Sequence, residues 1–129
     1  MIEKVGGITL ELIGVALDAA LLRHEIIANN IANYSTPGFF AKQLSFEEHL
    51  AGVTDLLQRS SEGSAEARIA ALRERLQKDS SLVVESNETV ELDREMLRLT
   101  ENTLRYQTLL KAAVKQGELL RTAINGGIR

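Results

Sequence analysis

The chain has 129 residues, 44% of them apolar and 26% charged, with a net charge of −3 and five aromatic residues, three Phe and two Tyr. Such a composition suits one soluble, mainly helical unit with an aliphatic core, and acidic and basic residues interleave without the basic block that nucleic acid or a charged membrane surface requires. The absence of cysteine excludes disulfides, thiolate metal sites and cysteine nucleophiles.

The first element is read from the apolar run "ITLELIGVALDAALL". Glu11 and Asp18 interrupt it and no small-residue cleavage site follows a basic start, so it reads as an amphipathic helix and not as a signal sequence or a membrane span. Leu10, Ile13, Leu17, Ala20, His24, Ile27, Ile31 and Tyr34 recur at alternating steps of three and four. A stripe repeating every seven residues seeks a partner helix, and His24 is its one polar, register-setting member. The helix ends in "IIANNIANYSTPGFFAKQ", residues 26–43. Asn29, Asn30 and Asn33 fall in its last turns, where their amides can satisfy terminal carbonyls. Thr36 is pushed toward extended geometry by Pro37, which presets the first corner of a turn, and Gly38 accepts the positive φ of a type II second corner.

The middle of the chain is more mixed. "SFEEHL" at 45–50 predicts a short helix capped by Ser45, with Glu48 completing a capping box. "RSSEGS" at 59–64 reads as a linker, followed by a helix over 65–78 with Ile69, Leu72 and Leu76 on one face and Ser64 as its cap. "SLVVESNETVEL" at 81–92 has the β-branched content of an extended segment or short strand.

The last helix is the best defined. Met96, Leu99, Thr103, Tyr106, Leu110, Ala113, Gly117, Leu120 and Ile124 form its predicted seam, Asp93 its N-cap, and "NGG" at 125–127 its stop. The expected fold is therefore mainly α: long N- and C-terminal helices of matched length, paired as an antiparallel coiled coil, with a short helix and extended segments between. The seam comprises Leu10, Ile13, Leu17, Ile27 and Ile31 against Met96, Leu99, Tyr106, Leu110 and Leu120. The chain divides into 1–44, 45–88 and 89–129 as one structural unit. Leu97, Leu104, Leu109, Val114 and Leu119 lie off that seam, leaving an apolar strip for neighbouring copies or other subunits.

Nothing in the sequence assembles catalytic chemistry. His24 and His49 sit on different segments without a second imidazole or thiol at ligand spacing, no serine sits in a nucleophile elbow, and no glycine-rich loop opens a helix. Asp93 and Glu95 read as capping and dipole compensation at a helix start. No enzyme activity, cofactor, metal or small-molecule substrate is expected.

The order "ANNIANYSTPGFFAKQ" closely resembles the Asn-Ile-Ala-Asn…Thr-Pro-Gly-Tyr signature of bacterial flagellar rod and hook proteins. "TVELDREMLRLTENTLRYQTLLKAAVKQGELLRTAI", residues 89–124, is similar to the C-terminal helix of the short, proximal-rod branch of that family. Distal relatives carry inserted domains for which 129 residues leave no room. The resemblance implies a structural subunit of the proximal rod of the flagellar basal body, without catalysis. It would be exported by the flagellar type III system without a cleaved signal peptide. It would stack helically with itself and with FlgC-like, FlgF-like and FliE-like rod proteins to link the MS ring and export gate to the distal rod. It further implies that Asn30, Asn33, Thr36, Pro37 and Gly38, with Asn29 beside them, shape the junction between inner helix and outer arm. Two positions depart from the family pattern: Phe39 where Tyr is usual, and Phe40 where Lys or Arg is common. They are expected to dock into an apolar groove on a neighbour. The alternative is a soluble coiled-coil adaptor or regulator that binds one partner helix.

Overall fold

The structure is a computed structural model; it describes residues 2–46 and 62–126, with side chains described for 6–46 and 66–126. Helix α1 spans Ile2–Ala32, strand β1 Phe40–Leu44, helix α2 Glu62–Lys78, a 3-10 turn Ser80–Leu82, strand β2 Val83–Thr89 and helix α3 Leu92–Gly126. The chain is thus mainly helical. At about 1.5 Å per residue the 31 residues of α1 and the 35 of α3 make rods of roughly 46 and 52 Å, which pack along each other.

Their contacts run in opposite order along the two helices. Gln116 Nε2 donates to the Gly6 carbonyl at 3.4 Å, Asn102 Nδ2 to the Ala20 carbonyl at 2.8 Å, and Asn30 Nδ2 to Glu95 Oε2 at 3.1 Å. At Gly6 an added Cβ would collide with the Leu120 side chain. A larger residue there requires the Leu120 side chain to shift.

Helix α1 carries a second buried stripe that the single-seam reading did not anticipate. Ile8, Leu12, Val15, Ala19, Leu22 and Ile26 also follow three-and-four steps, on a second flank of the helix. They pack with Ile69, Leu72 and Leu76 of α2 and with Leu44, Phe46, Leu82 and Val83. This cluster is the hydrophobic core. Arg73 tethers the same interface, donating to the Glu11 carbonyl at 3.4 Å and lying 3.8 Å from Asp18.

Helix α2 begins at Glu62, so residues 62–64 are helical and neither linker nor cap. First-turn N–H groups need no intrahelical partner, and an acidic residue there meets the positive end of the helix dipole, so the packed Ile69–Leu72–Leu76 face can propagate backward. After α2, Asp79 caps the 3-10 turn by accepting the Ser81 N–H at 2.9 Å. Hydrogen bonds from the Ser81 hydroxyl and then from its N–H hold the Asp79 carboxyl below the ordinary carboxylate value. At α3 the Glu95 N–H bonds to the Glu91 carbonyl at 3.0 Å, so Glu91 occupies the capping position and Asp93 lies inside the first turn. The short helix expected from Ser45 falls, beyond Phe46, outside the described residues. Ser45 itself extends the sheet, its N–H bonding to the Leu82 carbonyl at 2.8 Å.

The extended segments form an antiparallel pair, with Leu44 opposite Val83, Lys42 opposite Glu85 and Phe40 opposite Thr89. Two steps on β1 therefore match four on β2, and the surplus is a bulge over Ser86–Glu88. The Ser86 hydroxyl fills it, donating to the Ala41 carbonyl at 2.8 Å and accepting the Glu88 N–H at 3.3 Å.

Candidate assembly junction

Pro37 and Gly38 end α1 as their chemistry requires. Thr36 accepts the Phe39 N–H at 3.2 Å across the corner, and Gly38 has φ of 75°, the second corner of a type II turn. No described residue other than glycine has positive φ. No heavy atom lies within 4 Å of a Cβ added at Gly38, so Gly38→Ala meets backbone strain alone. The expected loss is about 1–2 kcal/mol in urea denaturation, with the helical circular dichroism kept.

The asparagines before the turn do different things. Asn33 works locally: its Nδ2 donates to the Asn29 carbonyl at 2.8 Å and to Asn29 Oδ1 at 2.9 Å, while its Oδ1 accepts the Thr36 hydroxyl at 3.2 Å. That is the frayed-carbonyl role expected of these amides. Asn30 does something else. It is 0% exposed, its Oδ1 accepts the Lys42 N–H at 2.9 Å, and its Nδ2 donates both to the Lys42 carbonyl at 2.8 Å and to Glu95 Oε2 at 3.1 Å. One amide thus pairs with both backbone groups of a strand residue, as a neighbouring strand would, and spends its second proton on α3. A flipped amide would set its oxygen against a carbonyl and a carboxylate, so the contacts dictate the orientation.

Glu95 is 1% exposed and is neutralised in place: Arg98 Nη1 donates to Oε1 at 2.7 Å from one helical turn on. A buried carboxylate is tolerated only when cations and donors replace its water, and here each oxygen has one. The cluster therefore ties three elements together at one point: the end of α1, the middle of β1 and the start of α3.

Further along α3, Asn102 is 3% exposed and its Oδ1 has no hydrogen-bond partner, although its Nδ2 is held by Ala20. It lines a groove of about 210 Å3 between α1, β1 and α3, whose walls include Arg23, Lys42, Arg98 and Arg105. Among the described residues no three His, Asp or Glu side chains gather as a metal site, and no helix is long and apolar enough to cross a membrane.

The predicted seam residues divide. Leu10, Ile13, Leu17 and Ile31 of α1 and Leu99, Tyr106 and Leu120 of α3 are half-buried, and Ile27 is buried. Met96 and Leu110 are exposed, and so is His24. The inward positions of α3 are Glu95, Leu99, Asn102, Tyr106, Leu109, Ala113, Gln116 and Leu120, so half of the expected repeat sits one residue early. Counting apolar residues selected Met96 because the inward position beside it, Glu95, is polar, whereas at 109–110 both residues are leucines and the apolar pattern does not separate them. His24 is likewise not the polar seam member; Asn30 is. Phe39 is half-buried, with Lys42 Nζ 5.7 Å from its ring centre, and Phe40 is exposed opposite Thr89.

Residues 14–39, covering most of α1 and the Pro-Gly turn, match the family model described as flagella basal body rod protein. Over 120 residues the chain is 34% identical to the flagellar basal body rod protein FlgB of Cereibacter sphaeroides, an alignment covering 88% of this chain and 94% of that one. The chain belongs to the FlgB family of flagellar basal body rod proteins. The FlgB of Bacillus subtilis is 30% identical over 127 residues, covering 87% of this chain and 89% of its own, and that of Escherichia coli is 28% identical over 129 residues. These FlgB alignments extend well past the signature, through the region that holds Lys42, Glu95 and Asn102.

Within this FlgB-family fold the residues that sequence reasoning passed over are Lys42, Arg98 and Asn102, and Glu95, read there as dipole compensation at a helix start, is instead buried and bonded to Asn30 and Arg98. A signal for two of them was present: Glu95 and Asn102 stand seven apart and in phase with Leu99 and Tyr106.

Proposed function

We propose that the chain serves as a structural subunit of the proximal rod of the bacterial flagellar basal body, working without catalysis. Its α1 and α3 form an antiparallel coiled coil, and copies stack helically with one another and with FlgC-like, FlgF-like and FliE-like rod proteins. In this reading the stack links the MS ring and export gate to the distal rod, and the subunit reaches it through the flagellar type III apparatus. Asn29, Asn30, Asn33, Thr36, Pro37 and Gly38 orient the arm formed by β1 and β2 relative to the helical pair, with Phe39 and Phe40 at its base, where subunits meet.

One observation carries the reading beyond family membership: Met96, Leu97, Leu104, Leu110, Val114 and Leu119 are all exposed on α3. A monomer seldom leaves so many large apolar side chains along one helix uncovered, and each is worth about 1.5–3 kcal/mol when fully buried. A tube of neighbours buries them, and contacts that do not close on themselves build such a tube.

The test is complementation of a strain lacking its own proximal-rod subunit. The chain is expected to restore swimming, whereas Leu97→Glu combined with Leu104→Glu is expected to abolish it while changing stability in urea by no more than about 0.5 kcal/mol, as exposed positions do. Swimming by that double variant counts against the assembly face. A tight dimer that ignores other rod proteins in the ultracentrifuge points instead to an adaptor.

A further inference from the structure

Resting on the rod-subunit reading, we infer that a shallow cleft on the outer face of α3, between Leu110 and Glu118, is the seat for the outer ridge of α1 around Leu21 from a second copy of this chain.

The seat has an apolar floor and cationic walls. Among the described residues it is lined by Leu110, Lys111, Val114, Lys115 and Glu118 and measures about 300 Å3, with Leu110 46% and Val114 58% exposed. Lys111 and Lys115 have no ion-pair or hydrogen-bond partner among the described residues. Two cations one helical turn apart beside exposed leucine and valine fit an apolar side chain flanked by carboxylates.

Helix α1 of the same chain displays that pattern. Leu21 is 49% exposed, the only large apolar side chain exposed among the described side chains of α1, and Asp18 and Glu25 stand three residues before it and four after it on the same face, both exposed. Glu25 makes no ion pair among the described residues, and Asp18 lies 3.8 Å from Arg73. When the two faces cross antiparallel with Leu21 over Leu110 and Val114, Glu25 falls toward Lys111 and Asp18 toward Lys115. Glu118 then falls toward Arg73, whose guanidinium lies over Gly14 beside Asp18. Exposed ion pairs are individually weak, so burial of the leucine supplies the attraction and the charges fix the register.

Geometry decides how copies connect. Lys111 lies nine residues, about 180°, around α3 from Asn102, which bonds to α1, and Glu25 lies five residues, about 140°, around α1 from Ala20, which accepts that bond. Seat and ridge therefore look outward from opposite sides of the helical pair, and one contact leaves one of each open. Their heights differ as well. The Gly6–Gln116 and Ala20–Asn102 bonds set residues 110–114 beside 8–12, roughly 14–20 Å along the axis from Leu21. Copies lying in one direction are displaced by that step at each contact, so the row climbs instead of closing into a flat ring.

Two experiments test this in a motile strain whose own subunit is deleted. Lys111→Glu with Lys115→Glu reverses the seat, and Asp18→Lys with Glu25→Lys reverses the ridge; all four positions are exposed. Each pair is expected to leave the purified chain folded by circular dichroism yet abolish swimming. All four substitutions in one chain are expected to restore it, because every reversed ridge then meets a reversed seat. In basal bodies, Leu21→Cys with Val114→Cys is expected to give a disulfide-linked ladder under mild oxidant. The chain has no cysteine of its own, and within one copy the two positions lie about 20 Å apart along the axis, too far to join. Normal swimming by either reversed pair overturns the inference, as does an immotile quadruple variant or a cysteine variant without a ladder. Loss with the reversed seat but not with the reversed ridge overturns it too, and identifies another rod component as the occupant. All of these leave the rod-subunit reading intact; that reading fails separately, if the unmodified chain does not restore swimming.

Discussion

Asn30→Ala is expected to cost about 3–5 kcal/mol of folding free energy, the largest loss of any single polar truncation in the described structure. The side chain is completely buried, so its partners are not solvated as surface groups are. Its removal strands the Lys42 N–H and carbonyl, and takes one of the two hydrogen-bond partners from the Glu95 carboxylate. A stranded buried group costs about 1–3 kcal/mol, and three are affected together. Asn33→Ala removes as many hydrogen bonds as seen on paper, yet all of them are exposed. Its expected cost is below about 1 kcal/mol, since water takes over the abandoned partners. Urea denaturation of both variants checks the difference, and Asn30→Asp extends it. The aspartate keeps the shape but loses the donor and faces Glu95 with like charge, so it is expected to fare no better than alanine. Equal stability of the position-30 and position-33 alanine variants would remove the polar cluster from its place as the clamp between α1, β1 and α3.

What could be read ahead of the structure, and what could not, follows from how each feature is encoded. The turn at Thr36–Phe39 is local: Pro sets one dihedral, Gly permits another, and the outcome needs nothing distant. The lengths of α1 and α3 and the extended character of 83–89 are also local, written in periodicity and β-branched content. Strand β1 escaped notice because "FAKQL" shows no clean alternation. Its burial runs exposed, buried, half-buried, exposed, buried, an irregular order produced by the bulge in the partner strand. The second buried stripe of α1 was in the sequence but had no reader, since Ile8, Val15 and Leu22 become a seam only when α2 is known to cover them. The junction followed the same logic. Asn29, Asn30 and Asn33 look alike in a string, and the difference between a local cap and a clamp lies with Lys42, 12 residues away, and Glu95, 65 residues away.

The second large effect concerns α2, the element whose purpose the chain discloses least. Ile69 is one of the most deeply buried side chains of the core, at 1% exposure, wedged with Leu72 and Leu76 against the second stripe of α1. Ile69→Ala is expected to cost about 2–5 kcal/mol, the transfer of the lost methylenes plus the cavity they leave. The size within that range depends on collapse. Helix α2 is amphipathic and held to α1 by one face and the Arg73 contacts, so it can settle inward and recover part of the loss, which favours the lower half. Leu104→Ala truncates an equally apolar side chain on α3, but an exposed one, and is expected to change the isolated chain by less than about 0.5 kcal/mol. The two variants therefore separate folding from assembly. Ile69→Ala lowers the urea midpoint of the monomer, whereas Leu104→Ala leaves it in place and weakens only the association with neighbours. If Ile69→Ala leaves the midpoint unmoved, α2 is not a packed part of the monomer, and the second stripe of α1 joins α3's uncovered face as surface that only the assembled rod buries.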